Sequence, residues 1–297
     1  MLDALTSPAF GAVYALGSAF MWALTSFLVR RYAAITSMMT VNAVRISLSG
    51  AFLLALSFAF TARTELAAMT AWTFVLVASS TILAAGIGDS IFFECTRILG
   101  LGRAMTLAMT YPLMAAAFAA VFLGEVITLQ AMLGAVVTLA GLALIVGPRD
   151  PGVPRHPRLW LGIGASFVVA LTWALSAILM KPAMHDLTPL TAQGVRLPIV
   201  ALFLWLTPWA RAGLPALRDA GRGAVVPLLV LSFLTAVSSL TWVAGLKYSD
   251  VVVATVLSST SPMFALALGA AFLGERLTVA AVVGAFLTIA GIVVLKL

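Results

Sequence analysis

Charge is what this sequence has least of. Asp, Glu, Lys and Arg make up 9% of its 297 residues, against about 25% in a typical soluble domain. So few charges cannot cover a soluble surface of this size. That excludes a cytosolic enzyme, and it excludes a disordered chain, which needs high charge and few apolar residues. Cys95 is the sole cysteine, which rules out an internal disulfide, a cysteine metal cluster and a secreted disulfide scaffold. His156 and His185 are the only histidines and leave no basis for a histidine metal or catalytic site. The chain has no phosphate-binding G-x-x-x-x-G-K-[ST] loop, so nothing in it would hydrolyse ATP. No carboxylate pair and no Ser-His-Asp order supports intramembrane catalysis. The expectation is a non-enzyme without metal or cofactor. Met1–Phe10 carries Asp3 and no Lys or Arg, so the basic start of a cleavable signal peptide is missing.

Apolar residues are what is there. They make up 63% of the chain, and the mean hydropathy is +1.14. A spanning helix needs about 20 apolar residues, because the hydrocarbon layer is about 30 Å thick and a helix rises 1.5 Å per residue. Ten such segments can be read, at about 10–30, 40–60, 72–96, 103–123, 127–147, 159–181, 190–209, 224–246, 251–272 and 279–296. The predicted fold is an all-α membrane protein with ten transmembrane helices. The net charge of +7 would suggest nucleic acid in a soluble protein; here nearly all of it sits at helix ends, so no nucleic-acid partner is expected.

The sequence repeats itself once. FMWALTSFLVR (Phe20–Arg30) parallels LTWALSAILMK (Leu171–Lys181), which places Trp22 opposite Trp173 at an offset of 151. Arg45 of NAVR meets Arg196 of QGVR at the same offset. Further on the offset is 150, pairing Pro112 with Pro262 and FLGEVITLQAMLGAVVTLAGLAL (Phe122–Leu144) with FLGERLTVAAVVGAFLTIAGIVV (Phe272–Val294). One residue is therefore gained or lost near the third or eighth span. Between the copies lies GPRDPGVPRHPR (Gly147–Arg158), with four prolines and no hydrophobic period, a linker by composition. The domains are thus 1–147, a Pro-rich linker at 148–158, and 159–297. Five spans is an odd number, so the copies enter the membrane from opposite sides. Such inverted repeats place a substrate site at the midplane between the halves.

Lys and Arg in the loops set the orientation. Loops after spans 1, 3, 5, 7 and 9 carry eleven of them and the opposite side carries four. The eleven-residue side is expected to be cytoplasmic, with both termini periplasmic.

Ten spans in two five-span copies, each closing on a helix pair with FLGE between its members, resemble the EamA family of the drug/metabolite transporter superfamily. The residues that carry the resemblance are Pro112, Gly124, Glu125, Gly134 and Gly141, and in the second copy Pro262, Gly274, Glu275, Gly284 and Gly291. The resemblance implies a secondary transporter of the bacterial inner (plasma) membrane, driven by an ion or substrate gradient and often exporting amino acids or other small metabolites. It also implies a central cavity lined by helices 1, 3, 4, 6, 8 and 9, with helices 5 and 10 peripheral. The expected partners are a small-molecule substrate, the lipid bilayer and protons as the candidate coupling ion, with the chain a monomer or homodimer. The alternatives are a proton-coupled exporter of cationic drugs and, in another class, a channel or lipid scramblase. The motif does not identify a substrate.

The residues themselves nominate a site. Asp89 lies deep in the third span, in AGIGDSIFFE, and has only Ser238 and Ser239 opposite it in the second copy. An acid at that depth needs protein or water around it, so Asp89 is read as a proton site or the counter-ion of a substrate amine, or else as a structural partner of Arg45. Arg45 and Arg196 recur near the starts of spans 2 and 7. A guanidinium can fork onto a substrate carboxylate, or it can snorkel or cap a neighbouring helix. The second reading is taken for Arg196, and both stay open for Arg45. Trp22 and Trp173 sit mid-span, away from the interfacial belts where Trp concentrates. They are read as two aromatic walls, extended by Trp242, Tyr111, Phe92 and Phe93, or as packing between helices. Pro112 and Pro262 break spans 4 and 9 and are the expected hinges. Glu125 and Glu275 fall in the tight turns before spans 5 and 10, where a carboxylate meets free N–H groups; they are read as structural caps.

Overall fold

A computed structural model describes residues 7–29, 36–60, 62–99, 101–146, 158–273 and 278–294. Among these the regular structure is all helical. Ten helical units follow one another: α1 (Pro8–Val29), α2 (Met38–Phe60), α3 (Ala71–Thr81, Ile82–Gly88 and Asp89–Leu99), α4 (Leu101–Ala108, Tyr111–Phe118 and Ala119–Leu123), α5 (Leu129–Val146), α6 (Leu159–Ala183), α7 (Pro189–Leu206), α8 (Arg222–Tyr248), α9 (Val251–Ser258 and Ser261–Leu273) and α10 (Val279–Val294). Short helices at Ala62–Ala68, Pro208–Ala212 and Leu214–Asp219 fill two connections. Six units, α1, α2, α3, α6, α7 and α8, are long and apolar enough to cross a membrane; α4, α5, α9 and α10 contain shorter apolar helices. The linker residues 148–157 and the second-copy turn with Gly274 and Glu275 lie outside the described residues.

Two of the shorter units are short because they are broken, and the sequence says why. α4 is interrupted at Met109–Thr110 and α9 at Ser259–Thr260, one residue ahead of the Tyr111-Pro112 and Ser261-Pro262 pairs. Proline has no N–H to give the carbonyl four residues back, and its ring clashes with that turn. At each break the threonine, Thr110 or Thr260, donates both its N–H and its hydroxyl to the carbonyl three residues back, Leu107 or Leu257, the hydroxyl at 2.7 Å in each case.

Each helix packs mainly against the other half. α1 lies along α8, α3 along α6, α2 along α7 and α5 along α10, with α1 also meeting α9 and α4 meeting α6. Exchanging the halves turns each of these pairs into another of them or into itself, so the packing carries the pseudo-two-fold relation seen in the repeats. The α5–α10 seam is made by small residues. A Cβ on Gly141 would strike Thr288, and one on Gly284 would strike the carbonyl of Gly141. These glycines therefore serve close packing within one chain. Outward surfaces are apolar, and Trp72, Trp160 and Trp209 are exposed near helix ends, where amphipathic rings sit at a membrane interface.

α3 departs from a plain helix. Ile82–Gly88 is π-helical, and the Asp89 N–H bonds the Ala84 carbonyl, five residues back. A π turn absorbs one extra residue without breaking the helix. Ala71 and Arg222, which open α3 and α8, are 151 positions apart, whereas Leu101 and Val251, which open α4 and α9, are 150 apart. α8 is α-helical throughout. The extra residue of the first copy is thus housed in the π stretch, directly before Asp89.

Candidate functional site

Between the two halves lies a partly open cavity of about 180 Å³. All seven residues nominated as substrate or coupling candidates line it: Trp22, Arg45, Asp89, Tyr111, Trp173, Arg196 and Trp242. Among the described residues α5 and α10 contribute none to the lining, as their peripheral place implies. The expected set of lining helices needs correction, because α2 supplies Arg45 and Ile46 and α7 supplies Gln193, Arg196 and Leu197. Helices 2 and 7 therefore bring both cations. They reach the cavity because α2 and α7 pack on each other and turn these residues inward.

The charges are unequally satisfied. Asp89, 14% exposed at its side chain, faces Arg45 at 3.6 Å between Oδ2 and Nη2. The Trp173 indole N–H donates to its other oxygen at 3.2 Å. Gly88 makes room for that contact, since a Cβ there would meet the Trp173 ring at 2.8 Å. Arg45 has a full set of partners. Its Nε and Nη2 donate to the Asn42 side-chain oxygen at 2.9 and 2.7 Å, and Nη1 donates to the Thr235 hydroxyl at 3.2 Å. Its guanidinium also stands over the Trp22 ring at 5.3 Å. Arg45 thus stands in ion-pair contact with Asp89.

Arg196 is different. It is 5% exposed and lines the cavity instead of reaching for a membrane face or a helix end. Its Nη2 donates to the hydroxyls of Ser80 and Ser176 at 3.2 and 3.4 Å, both neutral partners. It stands 5.1 Å over the Trp242 ring, and its Nε has no hydrogen-bond partner. Ser80, Ser176 and Gln193 were not singled out from the sequence. The one available signal was Gln193 itself, which sits opposite Asn42 in the paired motifs QGVR and NAVR.

The aromatic residues divide. Tyr111 donates its hydroxyl to the Thr255 carbonyl at 3.1 Å, so the residue at the α4 break is tied to the first segment of α9. The Tyr111 and Trp173 rings meet edge to face at 5.8 Å. Phe92 packs against Trp173 at 5.4 Å, and Phe92 and Phe93 belong to the core cluster behind that wall instead of extending it.

Glu125 accepts from the backbone N–H of Val251 at 3.1 and 3.2 Å. It therefore caps α9 of the other half instead of the adjacent α5. Gly124 enables the turn with φ +67°, a left-handed conformation that costs other residues about 1–2 kcal/mol. Burial pushes the Glu125 carboxyl above its ordinary range, opposed by the Val251 N–H and by Lys181. Other polar ties between the halves lie at the same end of the helices. Glu65 accepts from the Thr188 N–H at 2.7 Å, and Thr73 donates to Asp186 at 2.8 Å.

Comparison with known proteins agrees with this architecture. The model of the EamA-like transporter family matches residues 9–147 and again 160–297. A protein of Archaeoglobus fulgidus described as an uncharacterized transporter is 28% identical over 229 residues, 76% of this chain and 77% of the relative. A second transporter from the same organism, described in the same words, is 27% identical over 179 residues, or 59% of each chain. A solved structure titled only as the crystal structure of a protein superposes with a TM-score of 0.77 at 19% identity, covering 97% of this chain and 96% of that one; it shows the fold alone. With both halves matched, the chain belongs to the EamA-like transporter family of the drug/metabolite transporter superfamily, as a multi-pass membrane protein.

Proposed function

We propose that the protein is a secondary active transporter that exports amino acids or similarly small metabolites across a bacterial inner membrane by alternating access. In this reading all ten helical units cross the bilayer, as two inverted five-helix halves, 1–147 and 159–297, joined by the linker. The loop charge balance of eleven against four supports a cytoplasmic face for the loops after the odd helices and periplasmic termini.

The observation that carries the proposal is the charged cavity between the halves, bordered by both broken helices. Met109 and Tyr111 come from the α4 break and Ser258 from just before the α9 break. Breaks at corresponding positions of two repeats are where transporters bind and bend, so Pro112 and Pro262 act as the hinges. The cavity, at about 180 Å³, is smaller than the 300–1,000 Å³ pockets that enclose drug-sized ligands. Its lining holds two guanidiniums and one carboxylate, a balance that repels cations. Both facts favour a small metabolite over a cationic drug. Asp89 is the proton site of this mechanism, the carboxylate whose charge can be cancelled while Arg45 keeps its other partners.

The test is counterflow in proteoliposomes. Preloaded unlabelled amino acid should draw in labelled amino acid, and entry should saturate and yield to competitors. A channel would instead pass substrate in linear proportion to concentration, with current that follows voltage and no counterflow overshoot.

A further inference from the structure

Three of the residues that line the cavity each carry a buried polar atom with no hydrogen-bond partner: Nε of Arg196, Oε1 of Gln193 and Oγ of Ser258. Gln193 is fully buried, and its amide orientation is fixed. Its Nε2 donates to the Ser239 carbonyl at 2.6 Å, which only the NH₂ side of an amide can do, so the unpartnered atom is the acceptor oxygen. Gln193 and Arg196 are three residues apart on α7 and share one helix face. An unused donor of a cation and an unused acceptor of an amide thus belong to residues one turn apart on the same face of α7.

The charge balance points the same way. Among the described residues Asp89 is the carboxylate that lines the cavity, and it pairs with Arg45. Among the described residues Arg196 has no carboxylate in ion-pair contact. A buried guanidinium whose direct contacts are hydroxyls and an aromatic face has no counter-charge of its own, since Asp89, which acts on it from beyond ion-pair distance, is already paired with Arg45.

We propose, resting on the transporter reading above, that Arg196 and Gln193 are the substrate-docking pair: Arg196 takes the substrate's carboxylate, and the Gln193 oxygen takes an N–H of the nitrogen one carbon away. The class of substrate is a small α-amino carboxylate. The reading of Arg196 as a snorkelling or capping residue is thereby replaced, and the two pseudo-equivalent arginines divide the work. Arg45 holds the acid of the protein, and Arg196 holds the acid of the substrate. The pair specifies the head group, while the side chain lies against the indoles.

The experiment uses the full-length protein in detergent, with melting followed against L-leucine and L-phenylalanine, their amides, and the des-amino acids 4-methylpentanoate and 3-phenylpropanoate. The free acids should stabilise at concentrations at least about 30-fold lower than the amides, because truncating one partner of a buried charge pair costs at least that factor. In Arg196→Gln this preference should collapse toward one. In Gln193→Leu the preference for amino over des-amino acids should fall by about tenfold, the loss of one buried hydrogen bond. If amides match acids in the wild type, if no acid stabilises the protein, or if Arg196→Gln keeps the preference, the docking pair is overturned. Should Arg196→Gln not fold, the wild-type comparison decides alone. Saturable counterflow of amides or amines without acids would overturn the docking pair and leave the transporter standing, whereas voltage-scaled flux without saturation would overturn the transporter reading itself.

Discussion

Asp89→Asn is expected to abolish gradient-driven accumulation while substrate exchange continues. One proton per substrate across one pH unit supports about tenfold accumulation, since a unit is worth about 1.36 kcal/mol. In the mutant the ratio should fall to one, because asparagine keeps the shape and carries no exchangeable proton. Exchange between equal pools needs only the facing change and should persist. The fold should survive, because Arg45 keeps two bonds to Asn42, one to Thr235 and the Trp22 face. The melting loss should correspond to about 1.5–3 kcal/mol, the value of a hydrogen bond to a charged group. Paired assays, detergent melting and transport at two pH gradients, separate the cases. A stable mutant that still follows the gradient would eliminate Asp89 as the coupling site, and a mutant that unfolds would make the acid a structural partner.

Arg45→Ala should do the reverse, costing about 3–5 kcal/mol of stability. Arg45 is 2% exposed and ties α2 to Asp89 on α3 and Thr235 on α8. Its removal leaves Asp89, among the described residues, with the Trp173 N–H as its direct partner and Arg196 as the cation still acting on it, and strips the Asn42 oxygen of both donors. An uncompensated buried carboxylate is the larger loss of the two. Adding Asp89→Asn to Arg45→Ala should therefore recover about 1–3 kcal/mol, the usual range for contacting residues. Strict additivity of the two losses would show that the 3.6 Å pair carries no coupling.

How much of this was readable beforehand depends on which interactions decide each feature. The helices were legible because lipid demands long apolar runs with satisfied backbones, and the duplication was legible as paired strings such as FLGE. The breaks before Pro112 and Pro262 were legible because proline acts locally. The π stretch was visible only as an offset that changed from 151 to 150. Its place before Asp89 depends on how α3 packs against α6 and α7, which no local pattern records. The roles of Arg45 and Arg196 could not be separated either, since NAVR and QGVR are near copies. The lone acid on α3 was legible, but which arginine stands within ion-pair distance of it is a three-dimensional fact. Glu125 was identifiable as a cap from its turn, but the helix it caps belongs to the other half.

The central claim is that one cavity between the halves opens alternately to the two sides. Cys95 is the sole cysteine, so a Cys95→Ser background carrying Ser258→Cys places a single thiol on the cavity wall. In proteoliposomes an impermeant maleimide should reach that thiol when added from either side. A transported amino acid should slow labelling, and the membrane should stay closed to the reagent throughout. Labelling from one side only, under every gradient and substrate condition, or passage of the reagent itself across the bilayer, would contradict alternating access.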